Sequence, residues 1–293
     1  MKKKNSNIRH SIVQQKQPIY WSIIIIKTLS YLVLIVGCLM VFIPIAAVIF
    51  GAFKDSKEVA NTGALELPKT WVFENFKTAF IDGKVLQGLK NTAIIIVISC
   101  VGTIMTGTMT AFVIQRFDSK MSRIIKAAFL LATLLPNISM QVTVFQIMYK
   151  LGLYRTFAAP IVLYVGTDII SIYIFMQFLS QIPVSLDESG IIDGASYPRI
   201  YFSIILPNLK PAIATVLIIK FVGIYNDFYT PNLYMNENDP VVSTVLYSFI
   251  SGKRTQWEIV FAGIILCIIP TLVMFLSLQK YIYNGLVSGA VKE

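Results

Sequence analysis

Apolar residues gather along this chain in six long runs, and polar residues fill the connections between them. The runs cover residues 28–50, 92–114, 127–149, 156–179, 211–231 and 259–279. Each meets the roughly 20 residues that a helix needs to cross a ~30 Å hydrocarbon core. The first, TLSYLVLIVGCLMVFIPIAAVIF, carries no charge, whereas later runs are interrupted. Pro136-Asn137 breaks the third and Pro270 sits inside the sixth, so both helices are expected to kink. Gly102 and Gly107 in the second predict close approach by neighbouring helices. The pattern reads as an all-α integral membrane protein of six transmembrane helices.

Charge in the connections sets the expected orientation. The leader MKKKNSNIRH is basic and QRFDSKMSRIIK (115–126) holds four basic residues, which places both in the cytoplasm. The first run is too long for a signal-peptide core and reads as an uncleaved anchor. With six spans the C-terminus also returns to the cytoplasm. Connection 54–90 then falls outside, where LPKTWVFENFKTAF reads as a short amphipathic helix against the outer surface. Connection 185–210 falls inside, by counting spans, because its own charge is slightly acidic. The expected division is a tail and entry over 1–27, a six-span transmembrane body over 28–279 and a C-terminal tail over 280–293.

Composition supports the membrane assignment. The chain is 56% hydrophobic and 14% charged, against about 25% charged in soluble domains. Its net charge of +10 fits basic flanks held by anionic lipid rather than nucleic acid. Cys38, Cys100 and Cys267 lie in apolar runs with no metal-binding spacing, and read as small buried hydrophobes. The single histidine, His10, is in the leader, so a histidine base within the membrane is excluded. GxSxG and HExxH are absent, which argues against a membrane-embedded enzyme. DGKV and SGKR lack the upstream glycine and following Ser/Thr of a phosphate-binding loop. Any energy from ATP must therefore come from a separate polypeptide.

The most punctuated connection is SLDESGIIDGASYPRIYFSIILP (185–207). Ser185 followed by Glu188 is a capping-box pattern, and Pro183 ends the preceding membrane helix. A short helix over 186–192 is expected to close near Gly194. A second starts around Ser196, takes Pro198 in its first turn and runs to Pro207. This helix–turn–helix has an apolar side and an edge of three carboxylates. It suits a groove on a soluble partner or, alternatively, rests on lipid headgroups; an anionic surface prefers lysines, which favours the protein partner.

Asp168, Lys220 and Asp227 lie in apolar runs and must face the bundle or water. Lys220 and Asp227 are seven apart and share a helical face. Two readings stay open. In one, Tyr225, Asn226 and Asp227 line a translocation path. In the other, Asp168 and Lys220 neutralise each other between helices and Asp227 sits near the outer end of its span.

The register Glu188-Ser189-Gly190, Gly194, Ile204, Leu206-Pro207 resembles the loop of permease subunits in binding-protein-dependent ABC importers. Ser189-Gly190 replaces that family's two alanines, and Gly190 weakens the helix by ~1 kcal/mol relative to alanine. IYNDFYTP (224–231), LQKYIYNGLVSGAVKE (278–293), WVFENFKTAF and LKNT are similar to carbohydrate-type members, including the smaller permease subunit of maltose importers. The resemblance covers roughly residues 28–293. It implies a non-enzymatic half-pore for a sugar or oligosaccharide in a bacterial plasma membrane, with no cofactor of its own and ATP and Mg on the partner. Glu188, Ser189, Gly190, Asp193, Gly194, Ala195, Leu206 and Pro207 would couple to a cytoplasmic ATPase dimer. Ser288, Gly289, Ala290, Val291 and Lys292 would reach toward that dimer's interface. A homologous second permease and an extracytoplasmic sugar-binding protein complete the implied assembly, and in the maltose type the larger permease makes most sugar contacts. The alternative is an ion-coupled secondary transporter using Asp168 or Asp227 as proton site; it leaves the punctuated loop unexplained and lacks a visible inverted repeat.

Overall fold

A computed structural model describes residues 21–166, 168–251 and 255–290, and among these residues there are helices and no strands. His10, Val291 and Lys292 lie outside them. The chain forms two units, Met1–Ala47 and Val48–Glu293. The first consists, among its described residues, of most of helix α1 (Trp21–Ala52), which continues through Pro44. Its side chains from Ile25 to Ile45 are exposed, as befits a helix that is apolar all round and solvated by lipid. Cys38 is exposed there, against expectation, because the side chains of this stretch of α1 are exposed on every face; Cys100 and Cys267 are buried as expected.

In the second unit, α2 (Ser56–Asn61) and α3 (Glu74–Ile81) follow the end of α1. The amphipathic helix expected over LPKTWVFENFKTAF is thus shorter. Val72 N–H bonds the Phe53 carbonyl at 2.8 Å, and Phe53 gathers the rings of Trp71, Phe73 and Phe76. That tether holds 67–73 off the helical path. Asn75 donates to the carbonyls of Ala52 and Lys54 at 2.9 and 2.8 Å, which α1 leaves open at its end.

Helix α4 (Val85–Arg116) is the spine. Ser99, Cys100, Thr103, Thr108 and Ala111 bury a small-residue face. A Cβ on Gly102 would stand 2.7 Å from Val165, and one on Gly107 3.0 Å from Phe175. Both glycines admit close approach, as read from the sequence. The third run becomes α5 (Lys120–Thr133) and α6 (Asn137–Lys150), each 14 residues. The expected kink at Pro136-Asn137 is a complete interruption. Proline cannot donate to the preceding turn, and at ~21 Å neither piece spans a bilayer alone.

The fourth run forms α7 (Ala158–Gly166) and α8 (Ile169–Leu179), bent by 42°. Next come α9 (Ser185–Ile192), α10 (Tyr197–Ile200), a π-turn (Tyr201–Ile205) and α11 (Leu206–Asn208). The chain then turns by 71° into α12 (Lys210–Asn226). The fifth run thus stops before Asp227, and α13 (Tyr229–Tyr234) and α14 (Val242–Ser251) follow it. Last is α15 (Trp257–Ala290), continuous through Pro270, where a kink was expected, and well beyond residue 279. The tail placed at 280–293 is therefore helical as far as Ala290. By length and composition α1, α4 and α15 each suffice to span a membrane, as do the two bent pairs if each counts as one span.

Replacing Asn75 by alanine leaves two buried carbonyls without that donor. The expected cost is about 1–3 kcal/mol, read as a lower midpoint of thermal unfolding in detergent.

Candidate functional site

The 185–207 segment folds as a helix–turn–helix, by a different start from the one its sequence suggests. Ser185 is already helical, and Val184 before it has α-region backbone and makes no side-chain cap. The N–H groups of Asp187 and Glu188 bond the Val184 carbonyl at 2.9 and 3.1 Å. The donor that a Ser185 capping box would satisfy is thus already used. Ser185 instead accepts, through its carbonyl, the hydroxyl of Ser189 at 2.8 Å.

The helix closes as a Schellman motif. Asp193 is the cap, Gly194 takes φ +76°, Gly194 N–H bonds Ile191 O, and Ala195 N–H bonds Gly190 O, both at 2.9 Å. These two bonds satisfy carbonyls that the helix end would orphan. Space around Gly194 is open, so conformation, not crowding, calls for glycine there. At Gly190 crowding decides. A Cβ would lie 3.1 Å from Ile204 and 3.2 Å from Ile200, so the seam between the two arms is fitted to a glycine.

The second arm is seated in the bundle. Ile200, Tyr201, Ile205 and Leu209 are buried against Ala111 and Phe112 of α4, Phe175, Met176 and Leu179 of α8, and Ala212 and Val216 of α12. The Tyr201 hydroxyl pairs with that of Thr108 at 2.6 Å, and Phe117 meets Tyr197 edge-on at 5.1 Å. The π-turn ends at Leu206, whose N–H bonds Tyr201 O, immediately before Pro207. Pro207 has no N–H for the next helical bond, and its ring crowds the carbonyl four residues back, which the wider turn accommodates.

Seating the second arm leaves the first arm's surface outward. Glu188, Ser189, Asp193, Gly194 and Pro207 are exposed, Ala195 and Leu206 are partly buried, and Gly190 is buried in the seam. Ile192 is 84% exposed and Ile191 48%. Asp187 does not belong to the outer edge, which holds two carboxylates rather than three. It is buried, and its Oδ2 lies 2.6 Å from Nε of Arg116 at the end of α4. Arg116 also donates from Nη2 to the Ile182 carbonyl at 2.9 Å. Sequence reading counted Arg116 among four basic loop residues and Asp187 among surface acids. No spacing rule links residues so far apart; the weak signal was an arginine two residues after an apolar run. Of the tail residues, Ser288, Gly289 and Ala290 are helical.

The intramembrane charges pair as one of the two readings had it. Asp168 caps α8, accepting from Ser171 N–H at 3.3 Å, and its other oxygen lies 3.0 Å from Lys220. Lys220 in turn donates to the Tyr164 carbonyl at 2.6 Å, near the end of α7. Lys220 and Asp227 do not meet despite their spacing. They hold opposite ends of Tyr164, whose hydroxyl donates to Asp227 at 2.8 Å. Asp227 also accepts from Thr230 N–H at 3.1 Å. Tyr225 is buried and donates to the Cys267 carbonyl, whereas Asn226 is exposed and bonds its own helix at Val222. The three neighbours thus point to different surroundings, and only Asn226 is exposed. Among the described residues no cluster of His, Cys, Asp and Glu suits a metal ion.

The sequence family described as "Binding-protein-dependent transport system inner membrane component" matches residues 15–287. Among curated proteins, the multiple sugar-binding transport system permease protein MsmG of Streptococcus mutans is 32% identical, covering 90% of this chain and 96% of that protein. The probable starch degradation products transport system permease protein AmyC of Thermoanaerobacterium thermosulfurigenes is 31% identical, with 85% and 91% covered. The galactooligosaccharides transport system permease protein GanQ of Bacillus subtilis is 30% identical, with 90% and 94% covered. Among solved structures, a chain of a bacterial ABC transporter that imports alginate superposes with TM-score 0.81 at 20% identity, over 90% of this chain and 99% of that one.

Lys220→Met strands the Asp168 carboxylate, and an unpaired buried charge costs about 3–5 kcal/mol. The folded yield of K220M after detergent extraction should fall well below that of the double variant D168N/K220M, in which the charge is gone.

Proposed function

This chain belongs to the family of inner-membrane components of binding-protein-dependent transport systems, and from that premise we propose that it is a permease subunit of an ATP-driven importer for a sugar or oligosaccharide. It forms half of the translocation pathway beside a homologous second permease. An extracytoplasmic sugar-binding protein delivers the substrate. The relatives named for starch degradation products, galactooligosaccharides and multiple sugars support the substrate class.

One observation carries the coupling role. The 185–208 element is anchored by a buried arm, yet its tip presents Ile192, 84% exposed, between Glu188 and Asp193. An isoleucine held out in this way gains about 1.5–3 kcal/mol when covered, and the two carboxylates suit a groove with a basic rim better than an anionic lipid surface. The fitting partner is a cytoplasmic ATPase dimer, which binds ATP and Mg in place of any cofactor on this chain. In this reading the element and both termini face the cytoplasm. Glu188, Ser189, Asp193 and Gly194 meet the ATPase, Gly190, Ala195, Leu206 and Pro207 shape the element, and residues 288–292 reach toward the dimer interface.

Closing of the ATPase cleft moves the tip, and the seated arm passes that motion to α4, α8 and α12. Within the pathway Asn226 is the exposed candidate for contact with the passing sugar, and Tyr225 and Asp227 fix the end of α12 that presents it. Engagement of Asp168 by Lys220 and Ser171 speaks against its use as the proton site of an ion-coupled carrier.

In reconstituted importer, Glu188→Lys and Gly194→Asp should each abolish ATP-driven uptake while membrane insertion stays intact. Uptake by either variant at the unmodified rate would contradict the docking role.

A further inference from the structure

Arg116 and Asp187 occupy two helix ends that favour their charges. Arg116 is in the last turn of α4, where carbonyl ends concentrate negative potential, and Asp187 is in the first turn of α9, where N–H groups concentrate positive potential. Their side chains are 8% and 11% exposed and 2.6 Å apart, so bulk water screens the attraction little. Neither the remaining Asp187 oxygen, Oδ1, nor Arg116 Nε has a hydrogen-bond partner, so the two residues are held together as a buried ion pair. Through Nη2 the same guanidinium holds the Ile182 carbonyl, in the connection between α8 and α9. One planar group therefore ties the end of α4 to both sides of the Pro183-Val184 bend.

We propose that Arg116 is a positioning residue for transport, which through Asp187 and Ile182 makes α9 move as one body with α4. The proposal rests on the coupling role given above to α9. Without this tie, the first arm is held by the Gly190 seam and by the backbone at Pro183-Val184. A push on Ile192 would then be taken up by bending there instead of reaching α4. The pair faces the bundle, so it leaves the docking surface of Glu188 and Asp193 unchanged. That separation makes attachment of α9 and docking of α9 distinguishable by experiment.

The test uses the complete importer in proteoliposomes, with its ATPase and binding protein, and reads three quantities: affinity for the ATPase, ATP hydrolysis stimulated by the binding protein, and sugar taken up per ATP. Arg116→Lys keeps the charge but loses the planar guanidinium that meets the Asp187 carboxylate and the Ile182 carbonyl at once. The double variant R116M/D187L removes both charges together, a change that buried pairs often tolerate in stability, and so keeps the test open if single variants fold poorly. Both should bind the ATPase as the unmodified protein does, while stimulation of ATP hydrolysis by the binding protein weakens and uptake per ATP falls about tenfold. Unchanged uptake per ATP in both would overturn the proposal. So would loss of ATPase affinity in both, because the pair would then be shaping the docking surface. Glu188→Lys in parallel separates the two readings: if it too leaves uptake unchanged, the docking role itself has failed.

Discussion

Backbone N–H and C=O groups have no water to turn to in hydrocarbon, so every interruption of a spanning helix needs a partner from within the protein. The architecture of this chain follows from how that demand is met. Where α7 gives way to α8, Lys220 takes the Tyr164 carbonyl and Asp168 takes the Ser171 amide. Where α12 ends, Asp227 accepts from Thr230, and Ser243 donates to the Asp227 carbonyl at 2.7 Å. At the start of α14, Thr92 of α4 accepts from Val242 N–H at 3.0 Å. Where α4 stops, its terminal Arg116 satisfies the Ile182 carbonyl in the connection between α8 and α9. The charged residues of the membrane region are thus spent on holding breaks in place, and their cost in a low dielectric is offset by pairing and by hydrogen bonds to freed backbone.

The same logic makes the 185–208 element stiff. A Schellman closure fixes the angle between its arms, a glycine-sized seam presses them together, and a π-turn lets Pro207 lie within the second arm. The buried arm sits among α4, α8 and α12. A short helix of this length would not hold its shape alone; its order comes from that seating. The outcome is a small projecting knob whose apolar tip is held out by buried contacts behind it, a form suited to transmitting force from a partner.

Much of this was legible in the sequence. The apolar runs located the long apolar helices and the bent pairs, with the third run divided into α5 and α6, and glycines and prolines located the helix–turn–helix together with its closing turn at Gly194. The family register at Glu188, Gly194 and Leu206-Pro207 selected the segment that the structure seats so firmly. What escaped were features set by contacts distant in sequence. Asp187 looked like one more surface acid, because nothing local shows that Arg116 folds back over it. Ser185 looked like a cap, because the helical turn at Pro183-Val184 depends on the packing around it. The length of α3 likewise depends on the Phe53 ring cluster, which no local pattern names.

The account stands on α9 and α4 moving as one body. Spin labels at L186C and V113C, in a chain carrying C38S, would report the distance between them in the assembled importer, since Cys100 and Cys267 are buried and Val113 and Leu186 are exposed. The distance should stay constant within about 2 Å between nucleotide-free and ATP-bound states, while the distance from Leu186 to a label on the ATPase changes as the cleft closes. A shift between positions 113 and 186 larger than that would show α9 swinging independently of the helix it is said to drive.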